Sequence, residues 1–177
     1  MATGKPDSVE TGSVVVCVIS IGNELLNGDT LNSNLTYLGG RLAELGVPLQ
    51  QEFCVPDERA AIGDALRAAL PVSDLVVTIG GLGPTGDDLT REVVAGVLGR
   101  PLHEDAAVAA AIRAYLGRRG VGVPAEAVRL QSLVPEAADV LPNRNGTAPG
   151  LWCEIPGKGA VVMLPGPPSE FGPLVDE

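Results

Sequence analysis

Two short runs of apolar, largely β-branched residues constrain this chain most: Val14–Ile21 (VVVCVISI) and Asp74–Ile79 (DLVVTI). A strand with one wet face would alternate apolar and polar side chains. Continuous apolar character instead fits strands buried on both faces, as in a parallel sheet. Both runs are far shorter than the ~20 residues that a membrane-spanning helix needs. A polar or glycine-rich loop follows each, and then apolar residues at helical spacing. After the first run, Leu31, Leu35, Leu38, Leu42 and Leu45 form one helical face, with Asp29 or Thr30 as the cap. Gly39-Gly40 falls inside that helix and costs about 1 kcal/mol per glycine relative to alanine, which close packing on a neighbour would offset. Gly46 ends it. Val47–Val55 reads as a second strand, with Pro48 at its start. Asp57 opens a helix with Ile62, Ala65, Leu66, Ala69 and Leu70 on one face, and Pro71 closes it. After Ile79 comes GGLGPTG and a helix over Asp87–Leu98, with Leu89, Val93, Val94 and Val97 apolar. Strand and helix alternating in this way predict an α/β fold with right-handed crossovers on a mostly parallel sheet.

The second half is less regular. Glu104–Arg119 is alanine-rich and helical, ended by Gly120, and Pro124–Leu133 reads as a short helix with Pro124 near its start. Leu151–Ile155 and Ala160–Leu164 read as strands joined by a Pro156–Gly159 hairpin, which makes one edge of the sheet antiparallel. Ser169 can cap a final helix. Residues 1–12 are polar and read as a disordered leader, and 13–177 as a single domain. A length of 177 residues suits one domain, and such a chain buries enough surface to need no disulfide or metal staple.

Composition excludes several functions. The net charge of −10 argues against a nucleic-acid binder, which gathers Lys and Arg on one face. The densest basic cluster is only Arg113, Arg118 and Arg119. An anionic ligand must therefore be attracted locally, by backbone amides or a metal. Cys17, Cys54 and Cys153 show no CxxC spacing and read as buried free thiols of a cytoplasmic protein. No signal peptide or membrane segment is visible. One histidine, His103, cannot build a histidine metal site or a Ser-His triad.

The loop Gly80-Gly81-Leu82-Gly83-Pro84-Thr85-Gly86 lies at the carboxyl edge of a parallel sheet, where α/β proteins bind ligands. Glycines allow positive φ and close approach of a ligand. A helix N-terminus supplies free amides and partial positive charge, so a phosphate or pyrophosphate is the natural guest. Gly81, Gly83 and Gly86 match GxGxxG, but Glu104, at the distance where a dinucleotide fold needs an acidic strand end, reads as part of a Pro-Leu-His-Glu connection. Asp87-Asp88 stands where a P-loop needs Lys and Ser/Thr. The two aspartates can simply cap the helix. Alternatively, they hold Mg²⁺, which typically uses one or two protein carboxylates plus phosphate oxygens. Thr85 and Thr90 can donate hydroxyl hydrogen bonds to phosphates.

The other strand ends are polar too. Asn23, Glu24, Asn27, Asp29, Asn32 and Asn34 follow the first strand, and Asp57 the second. Turn and cap chemistry can account for Asp29 and Asp57; Glu24, between a buried strand and two leucines, is harder to explain that way. Asn145–Gly150 (NGTAPG, with Thr147) and Leu164–Pro168 (LPGPP, with Gly166) are further stiff loops, and their convergence suggests a preformed cleft.

GNELLNGDTLNSN, VPDERAAI, TIGGLGPTGDDLTREVVA, NGTAPG and LPGPPSE occur here in one order. In this the chain resembles the N-terminal domain of CinA proteins, in the molybdopterin-binding MoaB/MogA-like superfamily, over residues 14–172. The resemblance implies a three-layer α/β/α sandwich with a nucleotide or pterin cleft. It further implies metal-dependent hydrolysis of ADP-ribose to AMP and ribose 5-phosphate, a homo-oligomer, and a chain that in full-length family members continues beyond this domain, often into an amidase. The MogA branch usually carries Arg-Asp before the Thr; here Asp87 replaces that arginine, which favours the CinA branch over molybdopterin adenylylation. On this reading Asp88 with Asp87 holds Mg²⁺ or another divalent cation, and Gly80, Gly81, Gly83 and Thr85 hold the diphosphate. Asp88, Asp57 and Glu24 are the catalytic candidates. Thr90, Asn23, Asn32, Asn34, Thr147 and Gly166 complete the binding candidates. Molybdopterin binding and a non-catalytic nucleotide-binding module are the alternatives.

Overall fold

The computed structural model describes residues 14–122 and 124–177, so the leader expected over residues 1–12 lies outside the described residues. The chain runs through β1 (Val16–Ile21), α1 (Asn23–Leu26), α2 (Ser33–Glu44), β2 (Leu49–Val55), α3 (Arg59–Ala69), β3 (Leu75–Ile79) and α4 (Thr90–Leu98). It continues with β4 (Leu102–Glu104), α5 (Ala106–Arg118), α6 (Ala125–Gln131), β5 (Leu133–Pro135), β6 (Asp139–Leu141), β7 (Gly150–Ile155), β8 (Gly159–Leu164) and α7 (Pro168–Asp176). Six strands form one sheet in the order β2-β1-β3-β8-β7-β6, and β4-β5 is a separate ribbon. The pairs β1/β2, β1/β3 and β3/β8 are parallel, while β7 runs antiparallel to both β8 and β6. The parallel core and the antiparallel edge expected from the apolar runs are both present.

Alternation along the strands divides the core. Cys17, Ile19, Ile21, Val76, Val161 and Met163 face one layer, with α3, α4, α5 and α6. Val16, Val18, Val77, Ile79, Val162 and Leu164 face the other, against Leu38 of α2 and Phe171 of α7. Burying one such side chain is worth about 1.5–3 kcal/mol, so both faces of the central strands must be covered. Thr78 follows the same period into the larger core, fully buried, and its hydroxyl has no partner among the described residues.

Helix starts differ from the sequence expectation. Leu31 and Leu45 are 89% and 76% exposed, outside α2. Asn32, not Asp29 or Thr30, caps that helix by accepting from the Leu35 amide at 3.2 Å. Its amide group also donates to Ser20 Oγ at 2.8 Å and to Glu52 Oε1 at 2.7 Å, which pins the helix start to β1 and β2. The Asp29 and Thr30 amides instead donate to the Glu24 carbonyl. Asp57 does not cap α3, since its Oδ2 accepts from the Asn23 amide at 3.0 Å. α7 begins at Pro168 with Pro167 as its cap residue, not Ser169. Gly39 and Gly40 meet no atom within 4 Å at their Cβ positions, so no close packing offsets them. Cys17 and Cys153 are buried as expected, but Cys54 is exposed because β2 is an edge strand. Among the described residues, no helix is long and apolar enough to cross a membrane.

Candidate functional site

The parallel strands end together at Ile21, Val55, Ile79 and Leu164, and a cleft of about 540 Å³ opens at that edge. Its floor is the glycine loop. Gly80 has φ +102°, and a Cβ there would lie 2.5 Å from the Ile21 carbonyl oxygen. Gly81 has φ +66°, and a Cβ would overlap the Thr90 hydroxyl. Only glycine lets the chain leave β3, pass beside β1 and turn over the start of α4.

Asp88 dominates the rest of the loop. Its Oδ1 accepts from the Gly83 amide at 2.7 Å, and its Oδ2 accepts from the Thr85 amide at 2.9 Å and the Thr85 hydroxyl at 2.6 Å. Of the donors expected to hold a diphosphate, those of Gly83 and Thr85 are therefore turned onto an internal carboxylate. α4 starts at Thr90 rather than Asp87, so the aspartates sit in the loop and not in the first helical turn. Asp87 is exposed and does not line the cleft. The structure thus separates the expected metal pair, Asp88 pointing into the loop and Asp87 lying outside the cleft. Thr90 is fully buried and donates its hydroxyl to the Gly80 carbonyl at 2.8 Å, which removes it as a phosphate donor.

The remaining sequence candidates divide in two. Glu24, Asp57, Gly80, Gly81, Gly83, Asp88, Thr147 and Gly166 line the cleft. Thr85, Asn23, Asn32 and Asn34 do not. Asn23 contributes its backbone amide to Asp57, and Asn34 donates to the Gly166 carbonyl at 2.6 Å, tying α2 to the loop before α7. Thr147 accepts from the buried Gln131 amide group at 3.0 Å.

Three further residues were not legible as site residues. Gln131 and Glu170 line the cleft. Glu170 Oε2 accepts from Asn143 Nδ2 at 2.6 Å; burial raises its pKa, opposed by that hydrogen bond and by Arg119. Arg91 lies behind the glycine loop, 3% exposed, and donates to the Leu82 and Leu130 carbonyls at 3.2 Å. Burial lowers its pKa to about 10, against the pull of Asp88 and Glu92, so it stays charged at neutral pH. Glu170 is visible in the LPGPPSE motif, and Arg91 follows Thr90 directly; neither carries a spacing signal.

Among the described residues, four carboxylates, from Glu24, Asp57, Asp88 and Glu170, line the cleft, and no Lys, Arg or His does. Among the described residues, no three His, Cys, Asp or Glu side chains come together to hold a metal ion.

Residues 17–177 match the family described as a probable molybdopterin binding domain. Fold and match together place the chain in that domain family, with a MoaB/MogA-like fold. A CinA protein of unknown function from Thermoplasma acidophilum superposes with a TM-score of 0.84 at 38% identity, covering 93% of this chain and 95% of that one. A CinA-like protein of Desulfovibrio desulfuricans is 45% identical over 163 residues, 90% of this chain and 37% of the relative. The molybdopterin biosynthesis enzyme MoaB of Thermus thermophilus shares the fold, with a TM-score of 0.59 at 20% identity over 92% of this chain and 87% of that one. The chain belongs to the CinA family, as its N-terminal, MoaB/MogA-like domain. It spans a little over a third of the length of the curated CinA-like relative.

Proposed function

We propose that this domain is a metal-dependent nucleotide pyrophosphatase that hydrolyses ADP-ribose, or a similar dinucleotide, with water to give AMP and ribose 5-phosphate. The observation that carries the reading is the charge of the cleft. A strand-end cleft with a glycine floor suits a diphosphate, yet its ionisable lining among the described residues is wholly acidic. A diphosphate enters such a site only with its charge neutralised, and Mg²⁺ shared between substrate and protein does this. Asp57 and Glu24 are the carboxylates that would hold it, because Asp88 is committed to the loop. Bound there, Mg²⁺ would supply charge neutralisation and polarisation of a phosphoryl oxygen. The chain's own part is to shape the site. Gly80 and Gly81 let the loop pass against the Ile21 carbonyl and the Thr90 hydroxyl, Asp88 fixes the loop, and Gln131 donates to the Thr147 hydroxyl.

Incubation with ADP-ribose and Mg²⁺, followed by chromatography, should yield AMP and ribose 5-phosphate in equal amounts. Chelation with EDTA should abolish both. Absence of AMP at substrate and metal excess would refute the reading. The family match favours molybdopterin binding as a second reading. Direct binding of molybdopterin, with adenylyl transfer from ATP and no ADP-ribose turnover, would establish it.

A further inference from the structure

We propose that Glu170 is the general base of this cleft, accepting the proton of the water that attacks the diphosphate. This rests on the hydrolase reading above. The water oxygen bonds to one phosphorus while the bond from that phosphorus to the bridging oxygen breaks. The electron pair of the broken bond stays on the departing phosphate. The water proton passes to the Glu170 carboxylate and then to solvent.

The four carboxylates of the cleft are not equivalent. Asp88 accepts three donors of its own loop. Asp57 accepts the Asn23 amide, and Glu24 is exposed. Glu170 is partly buried in the first turn of α7, where its amide donates to the Pro167 carbonyl at 2.9 Å. Asn143 takes Oε2 at 2.6 Å and leaves Oε1 to receive a proton. Asn143 is itself fixed: its Nδ2 donates to the Ala148 carbonyl at 2.8 Å, and its Oδ1 accepts from the Asn145 amide at 2.9 Å. A base oriented by a third group that is itself held is the arrangement proton transfer requires. Gly146 makes room for it, since a Cβ there would overlap the Glu170 carboxylate.

The surrounding charges agree with the role. Burial pushes the Glu170 pKa up, while Asn143 and the Arg119 guanidinium at the end of α5 pull it down. Glu24, Asp57 and Asp88 share the cleft. On α2, Tyr37 and Arg41 engage Asp176, and Arg144 lies 3.9 Å from Glu177, so neither cation is committed to Glu170. A carboxylate with a raised pKa is a stronger base.

Glu170→Gln retains size and the acceptor for Asn143 but cannot take the proton. Its kcat should fall by about 10²-fold or more, with KM changed little and the acidic limb of the pH profile lost. Gly146→Ala should displace the flexible carboxylate and lower kcat in a folded protein. Asn143→Ala removes a hydrogen bond to the charged form, so the acidic limb should move to higher pH. Circular dichroism and thermal unfolding establish that each variant is folded. A Glu170→Gln protein within twofold of wild type, with an unchanged pH profile, overturns the base assignment and leaves the hydrolase reading intact. Wild-type protein without turnover overturns both.

Discussion

Asp88 offers the sharpest test of the loop, because a clamp and a metal ligand respond differently to one substitution. The carboxylate accepts from the Gly83 amide, the Thr85 amide and the Thr85 hydroxyl. Hydrogen bonds to a charged group contribute roughly 1.5–3 kcal/mol each, and an unpaired buried donor costs about 1–3 kcal/mol. The Gly83 contact is partly buried while both Thr85 contacts are exposed, so only the first deserves the upper range. Asp88→Ala should therefore destabilise by about 2–4 kcal/mol, and Asp88→Asn by about 1–2 kcal/mol. The asparagine oxygen can serve one side of the clamp, but its NH₂ then faces the N–H of the other. For a domain of this size each kcal/mol lowers Tm by about 2–4 °C. Urea unfolding followed through the single tryptophan, Trp152, measures the change directly. Thr85→Val completes a double-mutant cycle, and a coupling of about 0.5–3 kcal/mol is expected for residues in direct contact. An Asp88→Asn protein as stable as wild type, uncoupled from Thr85, would refute the clamp. If it also required more Mg²⁺ for turnover, Asp88 would return to the metal.

Gly40→Ala should stabilise the chain by up to about 1 kcal/mol in urea unfolding, because its Cβ meets nothing within 4 Å; a loss would show that another chain covers this face of α2. Thr78→Val should be neutral or stabilising in the same assay, since no partner of the Thr78 hydroxyl is lost; destabilisation above about 1 kcal/mol would reveal a bond the hydroxyl makes. Under native conditions a thiol reagent should modify Cys54 first, with Cys17 and Cys153 protected until the sheet opens; stoichiometric modification of Cys17 at the rate of Cys54 would contradict the burial of β1.

The strands were legible because Val16–Ile21 and Leu75–Ile79 are buried on both faces, and that condition writes itself as an unbroken apolar run. Helix ends were not. A leucine period extends from Leu31 to Leu45, but both terminal leucines are exposed, since periodicity does not reveal where tertiary hydrogen bonds fix the cap. Asn32 is chosen over Asp29 by Ser20 and Glu52, which no local pattern contains. The three-residue strands β4, β5 and β6 are too short to carry any period. Cys54 reads as buried within an alternating run, and only the strand order shows that β2 lies at an edge.

In the cleft, the glycine loop was legible as backbone, but the internal use of its Gly83 and Thr85 donors was not. A loop of glycines at a sheet edge presents amides, and a phosphate is the usual anion to meet them. Here the anion is built in five residues downstream of Gly83, and GPTGDD closes on itself through Asp88. Arg91, whose charge Asp88 favours, is buried behind the loop, donates to the Leu82 carbonyl and does not line the cleft. Its charge therefore stabilises the loop rather than the ligand. The remaining lining charges are all negative, which leaves a diphosphate two ways to be held: it displaces Asp88 from the amides, or it arrives already neutralised. Displacement would give up three charge-assisted bonds for comparable new ones and still leave Glu24, Asp57 and Glu170 facing it. Neutralisation by a divalent cation turns Glu24 and Asp57 from repulsive to attractive in one step. That sign change is why the proposed hydrolase reading calls for a divalent cation, with Glu24 and Asp57 as the carboxylates that would meet it.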